Sequence, residues 1–267
     1  MSQAAHDHLK SGDLPDALAA LQDAVRKDPS DQKLRVFLFQ LLCVTGDWNR
    51  AVAQLKLSAE MDSAAIPMAQ AYREAIICEV YREKVFAGEK TPLIFGEPQD
   101  WTAKLIEALK ALGGGNAAAA ADLRAQAFDD APAAAGSLNG EKFEWIADAD
   151  MRLGPLLEIV INGRYFWMPF TSIAKAQFEE PSDLRDAVWT PSQITLSNGG
   201  DVVALIPTRY AGTITSGSDA EKLSRATSWD DAGGETFLGK GQRLLATDQG
   251  DVALMEVREL VMDQVDG

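Results

Sequence analysis

Two stretches of the chain repeat one another at a distance of 34 residues. GDLPDALAALQDAVRKDP holds Gly12, Ala17, Leu21, Ala24 and Pro29, and GDWNRAVAQLKLSAEMDS returns Gly46, Ala51 and Leu55 at the same offsets. Such a period is a strong constraint, because a single helix pair cannot bury its own apolar face and must stack on a neighbour. Small residues at the crossing let two antiparallel helices approach, and the Leu positions fill the seam between them. The second unit departs at its end, with Ser58 in the place of Ala24 and Ser63 in the place of Pro29.

Thirty-four residues is the tetratricopeptide period. A weaker third copy, Gly115, Ala120, Ala127 and Pro132, lies 103 residues after Gly12, Ala17, Ala24 and Pro29, with Arg124 at the Leu21 position. Between the copies, Ala69, Tyr72, Ile76, Ile77, Val80 and Tyr81 fall on one helical face. Residues 1 to about 135 therefore read as an all-helical solenoid of roughly seven helices. The Ala/Gly-rich stretch GGGNAAAAADLRAQAFDDAPAAAG reads either as a flexible linker or as a packed helix, and the spacing of Leu123, Ala127 and Phe128 favours the helix. A solenoid either buries its own faces as a scaffold or offers a concave surface to a helix or extended segment of another protein. Gln40, Asn49, Arg50 and Arg73 are candidate polar lining positions.

After Ser137 the period and the chemistry change. Asn162-Gly163 sits between two apolar runs in LEIVINGRYFWMPF, which predicts a hairpin with strands at about 156 to 161 and 164 to 169. Asn198-Gly199 joins ITL to VVALI in a second hairpin, LRDAVWTP reads as a short helix or turn, and a last hairpin falls around Asp248 to Gly250. Four of the six tryptophans, Trp145, Trp167, Trp189 and Trp229, lie in this part. The expectation is an α+β protein: a tetratricopeptide-like helical domain over 1–136, then a mainly β domain with short helices over 137–267.

Charge narrows the partners. The chain has 267 residues, 40 acidic against 25 basic, and a net charge of -15, of which -5 falls before the cut after Gly136 and -10 after it. That balance opposes binding to nucleic acid or to an anionic membrane. No run of 18 apolar residues exists, and His6, Asp7, His8 and Lys10 stand where a signal peptide needs its apolar segment, so a cytoplasmic location is expected. Cys43 and Cys78 sit inside apolar helical patterns and read as small buried hydrophobes, with one structural disulfide left open by counting alone. Edge strands of the second domain could pair a dimer, whereas the apolar faces can also close within one chain.

Candidate chemistry is sparse. Asp148 and Asp150 are two apart, so in an extended segment both carboxylates face one side, as a paired acid and base or a hard-cation site requires. With Glu158 they define the enzyme alternative, a carboxylate-based hydrolase, although charge pairing with Arg152 or turn capping accounts for them more simply. There is no phosphate-binding Gly loop and no Cys-x-x-Cys or His-based metal set, and the only histidines, His6 and His8, lie near the N-terminus. No cofactor is implied. Arg152, Arg185 and Arg209 stand beside Asp150, Asp186 and Tyr210. They read as forks to carboxylates that tie loops together, and exposed Trp189, Arg209 and Tyr210 are the alternative as interface anchors.

The segments FEWIADADMRLGPLLEIVINGRYFWMPF, PSDLRDAVWTPSQITLSNGGDVVALIPTRYAG and WDDAGGETFLGKGQRLLATDQGDVALMEV together resemble the ImpE family, also called SciE or TagJ, over nearly the whole chain. The resemblance implies a cytoplasmic, non-enzymatic accessory factor of type VI secretion. It further implies a protein partner, the small sheath subunit, and help in recruiting the AAA+ ATPase that recycles contracted sheath. It carries no catalytic set. A general tetratricopeptide-like scaffold or chaperone is the broader alternative.

Overall fold

The computed structural model describes residues 2–263. The helical part begins with two pairs, α1 (Gln3–Ser11) with α2 (Leu14–Lys27) and α3 (Gln32–Thr45) with α4 (Trp48–Met61). The 34-residue repeat is visible as repeated capping. Gly12 and Gly46 end α1 and α3 in the left-handed region at φ 81° and 77°, and Asp13 and Asp47 then cap α2 and α4 by accepting backbone N–H groups. Ala17 and Ala51 are fully buried, and Leu21 and Leu55 fill the seam. The second unit's departure has a cost, since Ser58 is fully buried and its hydroxyl is the one buried side-chain polar atom without a hydrogen-bond partner among the described residues.

Next comes the long α5 (Ile66–Phe86), then β1 (Leu93–Ile94), and then the hairpin of α6 (Asp100–Gly113) and α7 (Ala117–Asp130). The Ala/Gly-rich stretch is thus a packed helix, capped by Asn116 and burying Ala120 and Ala127. Arg124 replaces the seam leucine because it reaches out of the helix pair, donating to Thr236 Oγ1 at 2.8 Å. The face expected on α5 is corrected in part. Ala69, Tyr72 and Ile76 are buried, but Ile77 and Val80 are about half exposed, while Cys78, Glu79 and Arg82 are buried instead. α5 is covered on two sides, by the repeat helices and by a sheet, and a one-sided periodicity argument cannot locate the second.

That sheet has nine strands. In chain order they are β1, β2 (Gly136–Leu138), β3 (Glu141–Phe143), β5 (Leu156–Ile161), β6 (Arg164–Pro169), β7 (Ile173–Phe178), β8 (Trp189–Leu196), β9 (Asp201–Pro207) and β14 (Glu259–Met262). They lie side by side as β1-β6-β5-β9-β8-β7-β14-β2-β3, antiparallel except for β1 against β6. β4 (Ile146–Asp148) pairs with β12 (Leu244–Thr247) and β13 (Gly250–Ala253) in a three-stranded sheet, and β10 (Thr227–Asp231) pairs with β11 (Phe237–Gly241).

The first expected hairpin falls on β5 and β6, with Asn162 and Gly163 at φ 49° and 68°, as a type I′ turn requires. The Asn198-Gly199 hairpin also forms, but around a longer loop in which Asn198 accepts the Gly200 N–H and Gly199 alone is left-handed. The last expected hairpin is β12 with β13.

Every residue of β5 is buried, because the strand is covered on both faces. Leu156 and Val160 face α5–α7 in one apolar cluster, and Leu157, Ile159 and Ile161 face the other. Glu158 shares the helix-facing side with Leu156 and Val160, which puts a carboxylate in the middle of the junction between helices and sheet.

Candidate protein-interaction site

The residues that stood out for chemistry converge on this junction. Glu158 accepts from Arg82 Nε at 2.5 Å and Nη2 at 2.8 Å, and also from Arg243 and the Tyr165 hydroxyl. Arg243 bridges to Asp148 as well, and its Nε donates to the Pro207 carbonyl at 3.0 Å. Asp148 accepts the Asp150 N–H at 2.9 Å, and Asp150 is held by Arg152 through Nε at 2.8 Å and through Nη2, with the Gly239 N–H at 2.9 Å. None of Asp148, Asp150 and Glu158 is more than 3% exposed.

Their charges are settled by neighbours. Burial works against the ionised form of Glu158, but the Arg82 and Arg243 guanidiniums outweigh it and hold the carboxyl down at about 2. Asp148 lies in the opposite balance. Burial pushes its carboxyl up to about 7 against the pull of Arg243, and the neighbouring Asp150 and Glu158 charges add to the rise. The two aspartates are therefore not an open pair of ligands. Among the described residues, the grouping of His and acidic side chains with metal-ligand spacing is His8, Asp13 and Asp16, and there Asp13 already caps α2.

The other candidates are internal too. Trp189, Arg209 and Tyr210 are 0%, 3% and 2% exposed, so the reading of these three as exposed interface anchors is corrected. Trp189 donates its indole N–H to Glu79 at 3.2 Å and packs against Tyr72 and Trp48, because the helices cover this face of the sheet. Tyr210 accepts the Leu244 N–H at 2.8 Å and packs against the Trp229 ring at a tilt of 51°.

Arg209 forks to carbonyls, not to a carboxylate. It donates to Val44 and Lys222 at 2.8 and 2.7 Å and to Cys43 at 3.3 Å, which places a cation on the negative C-terminal end of α3. Burial lowers its pKa to about 10. Arg185, half-buried, pairs with Asp183 and lies over the Tyr72 ring at 4.8 Å, while Asp186 caps the turn at Ser182 and Asp183. Cys43 and Cys78 are both free and buried, and burial pushes the Cys78 thiol up to about 12.

Sequence reasoning missed Glu79, Arg82 and Arg243, which complete the network. A local signal exists for the first two, an i,i+3 acid–base pair inside an apolar helix, and for Glu158, a charge inside the run LLEIVI. Arg243 in GQRLLA carries none.

Among the surfaces that remain open to a partner is a groove of about 630 Å³ between α1, α3 and the C-terminal part. Leu9 and Lys10 come from α1, Lys33, Phe37 and Gln40 from α3, and Leu184 and Arg225 close the far wall. The His6 ring packs on Phe37 at 4.5 Å. Arg225 does at α1 what Arg209 does at α3, donating to the Leu9 carbonyl at 2.8 Å. Of the polar lining candidates, Gln40 lies in this groove, and Arg73 lies in a second groove of about 650 Å³ between α4 and α5. Asn49 and Arg50 are exposed at the start of α4, with Arg50 paired to Asp47 at 3.0 Å. No helix among the described residues is long and apolar enough to cross a membrane.

Comparison with known proteins agrees with this architecture. Residues 140–261 match the family model described as ImpE protein, and residues 8–74 match a tetratricopeptide repeat model. The type VI secretion system accessory component TagJ of Pseudomonas aeruginosa is 51% identical over 262 residues, covering 98% of this chain and 92% of that protein. The crystal structure of protein VPA1032 from Vibrio parahaemolyticus matches with a TM-score of 0.89 at 26% identity, covering 98% of each chain. With that identity sustained across nearly the full length and the same fold recurring end to end, the chain belongs to the ImpE (SciE, TagJ) family of type VI secretion accessory proteins.

Proposed function

We propose that the protein works in the cytoplasm as a non-enzymatic adaptor of a type VI secretion machine, holding the small sheath subunit and assisting recruitment of the AAA+ ATPase that recycles contracted sheath. The observation that carries this reading is the division of side chains between inside and outside. The carboxylates and arginines suited to chemistry are paired with one another in the interior, and the repeat helices leave a groove open beside them. Such a surface suits docking of a protein segment better than turnover of a small molecule. In this mechanism a helix of the sheath subunit packs against α1 and α3, and the C-terminal part fixes its orientation from the far wall.

The test is co-purification of the full-length protein with the small sheath subunit from the same gene cluster, sized by light scattering. A stable complex is expected, and adding the ATPase should give a three-component assembly. If sheath subunit and ATPase associate fully while this protein joins neither, the proposal fails.

A further inference from the structure

A separate surface lies where the helical part hands the chain on to the sheet. Phe128, Ala133, Ala134, Trp145, Ile146 and Pro155 line an apolar pocket of about 380 Å³ that shares no residue with the α1–α3 groove. Gly154, at φ 54°, lets the Phe128 ring close directly on the backbone, since a Cβ there would run into it. Trp145 is 43% exposed and forms a wall that solvent reaches. An aromatic wall beside an apolar recess is the kind of anchor point that carries most of the energy of a protein interface.

Two parts of the lining also carry backbone that the fold does not use. Ala131 leaves α7 extended, at φ -70° and ψ 131°, and the N–H and C=O groups of Ala133 and Ala134 have no partner among the described residues. β4 is the edge strand of its sheet. Asp148 turns its N–H away from β12 to the Gly154 carbonyl at 2.7 Å, so by the alternation of a strand Ile146 turns its N–H and C=O the same way, onto the side where Gly154 and Pro155 line the pocket. A helix laid here would cover these groups without pairing them, whereas an extended segment pairs with them as it binds.

Charge narrows the occupant further. From Phe128 to Trp145 the chain carries Asp129, Asp130, Glu141 and Glu144 against Lys142 alone. Lys104 engages Asp130, but Asp129 and Glu144 are exposed and meet no cation within ion-pair distance among the described residues. We infer that this pocket takes an extended, basic segment of another protein as an added strand. One apolar side chain of that segment enters between Trp145 and Phe128, its main chain pairs with the open backbone of Ala133, Ala134 and Ile146, and its flanking Lys or Arg side chains meet Asp129 and Glu144. The inference does not depend on the proposed function, which uses a different surface.

The test titrates isotope-labelled full-length protein with the end-capped peptide Lys-Lys-Val-Leu-Val-Lys-Lys in about 0.15 M salt, where charges farther off than about 8 Å are largely screened. Binding should shift the amide signals of Ala133, Ala134 and Ile146 and the indole signal of Trp145. The same peptide N-methylated at its Val and Leu amides should bind about tenfold weaker, because it keeps charge and side chains but loses its strand donors. Asp129→Lys combined with Glu144→Lys, both at exposed positions, should weaken binding about tenfold with an unchanged melting temperature. Asp23→Lys with Glu60→Lys, an equal change of charge at exposed positions on α2 and α4, should leave affinity within about twofold. No binding at millimolar peptide, shifts confined to other amides, an N-methylated peptide that binds as well, or equal losses from the two pairs of reversals would each overturn the inference. So would the same amides shifting on dilution of the protein alone, which would give the pocket to a second copy of the chain.

Discussion

Ser58 is a fully buried hydroxyl in a seam that the first repeat builds from alanine, and nothing accepts or donates to it among the described residues. Ser58→Ala should therefore stabilise the protein by about 1 kcal/mol in urea unfolding, since it removes a desolvated polar group and leaves the methylene-sized packing in place. A loss of stability would mean that the hydroxyl has a partner. Glu158 is the opposite case. It is shared by Arg82 and Arg243, so Glu158→Gln leaves two buried cations short of a counter-charge and should cost about 3–5 kcal/mol.

The pH dependence carries the same asymmetry. The Asp148 carboxyl lies at about 7 in the fold against about 3.9 when unfolded, so between these values the folded state holds a proton that the unfolded state has lost. Stability then falls as pH rises from about 4 to 7. Glu158 lies at about 2, below its unfolded value, so its contribution is present above about 4.3 and is lost as pH falls toward 2. The urea midpoint should decline from about pH 5, where the Glu158 contribution is already complete, to about pH 7, and Asp148→Asn should flatten that limb. An unaltered slope in the variant would assign the decline to the general acidity of the chain.

At the scale of elements, the C-terminal part finishes the helices of the N-terminal part. Arg209 caps α3 and Arg225 caps α1, each from more than 150 residues away, as the separations of 165 and 216 record. Gly46, where α3 ends, is also where Ile214 approaches so closely that a Cβ would meet it at 2.2 Å. Arg209→Met should cost about 2–3 kcal/mol and quicken hydrogen exchange in the last turn of α3, because buried carbonyls lose a charged donor. Arg225→Met, at an exposed residue, should cost about 1 kcal/mol or less. Equal costs would show that capping is not what distinguishes the two. Elements are also where legibility was greatest. The β5–β6 hairpin and the helix caps at Asp13 and Asp47 depend on residues a few positions apart, so local pattern was sufficient. The exposed Ile77 and Val80 on α5 were not legible, since which side of that helix is covered depends on a sheet formed mostly after residue 136.

Across the whole molecule, the boundary read at Gly136 divides two sequence patterns that share their cores. β1 from the helical part pairs with β6, and Trp189 and Leu223 belong to the same apolar cluster as Leu21 and Phe39. The full chain should accordingly unfold in one calorimetric transition, and residues 1–136 expressed alone should show none that is cooperative. A fragment with a sharp transition of its own would make the helical part an independent unit.

Sequence by itself determined the helix repeat, the hairpins, the acidic balance and the family, because each is written in spacing along the chain or in motifs that stay contiguous. It also supplied Asp148, Asp150, Arg152, Arg185, Trp189, Arg209 and Tyr210 as residues of interest, and the local pairing of Arg152 with Asp150, but not the partners that come from distant parts of the chain. Only the tertiary structure decided that Trp189 and Tyr210 face inward, that Arg209 closes a helix end, and that the groove has walls from residues 9, 37 and 184. The reason is physical: a side chain's role depends on what is packed against it, and here the opposing surface comes from the other half of the chain.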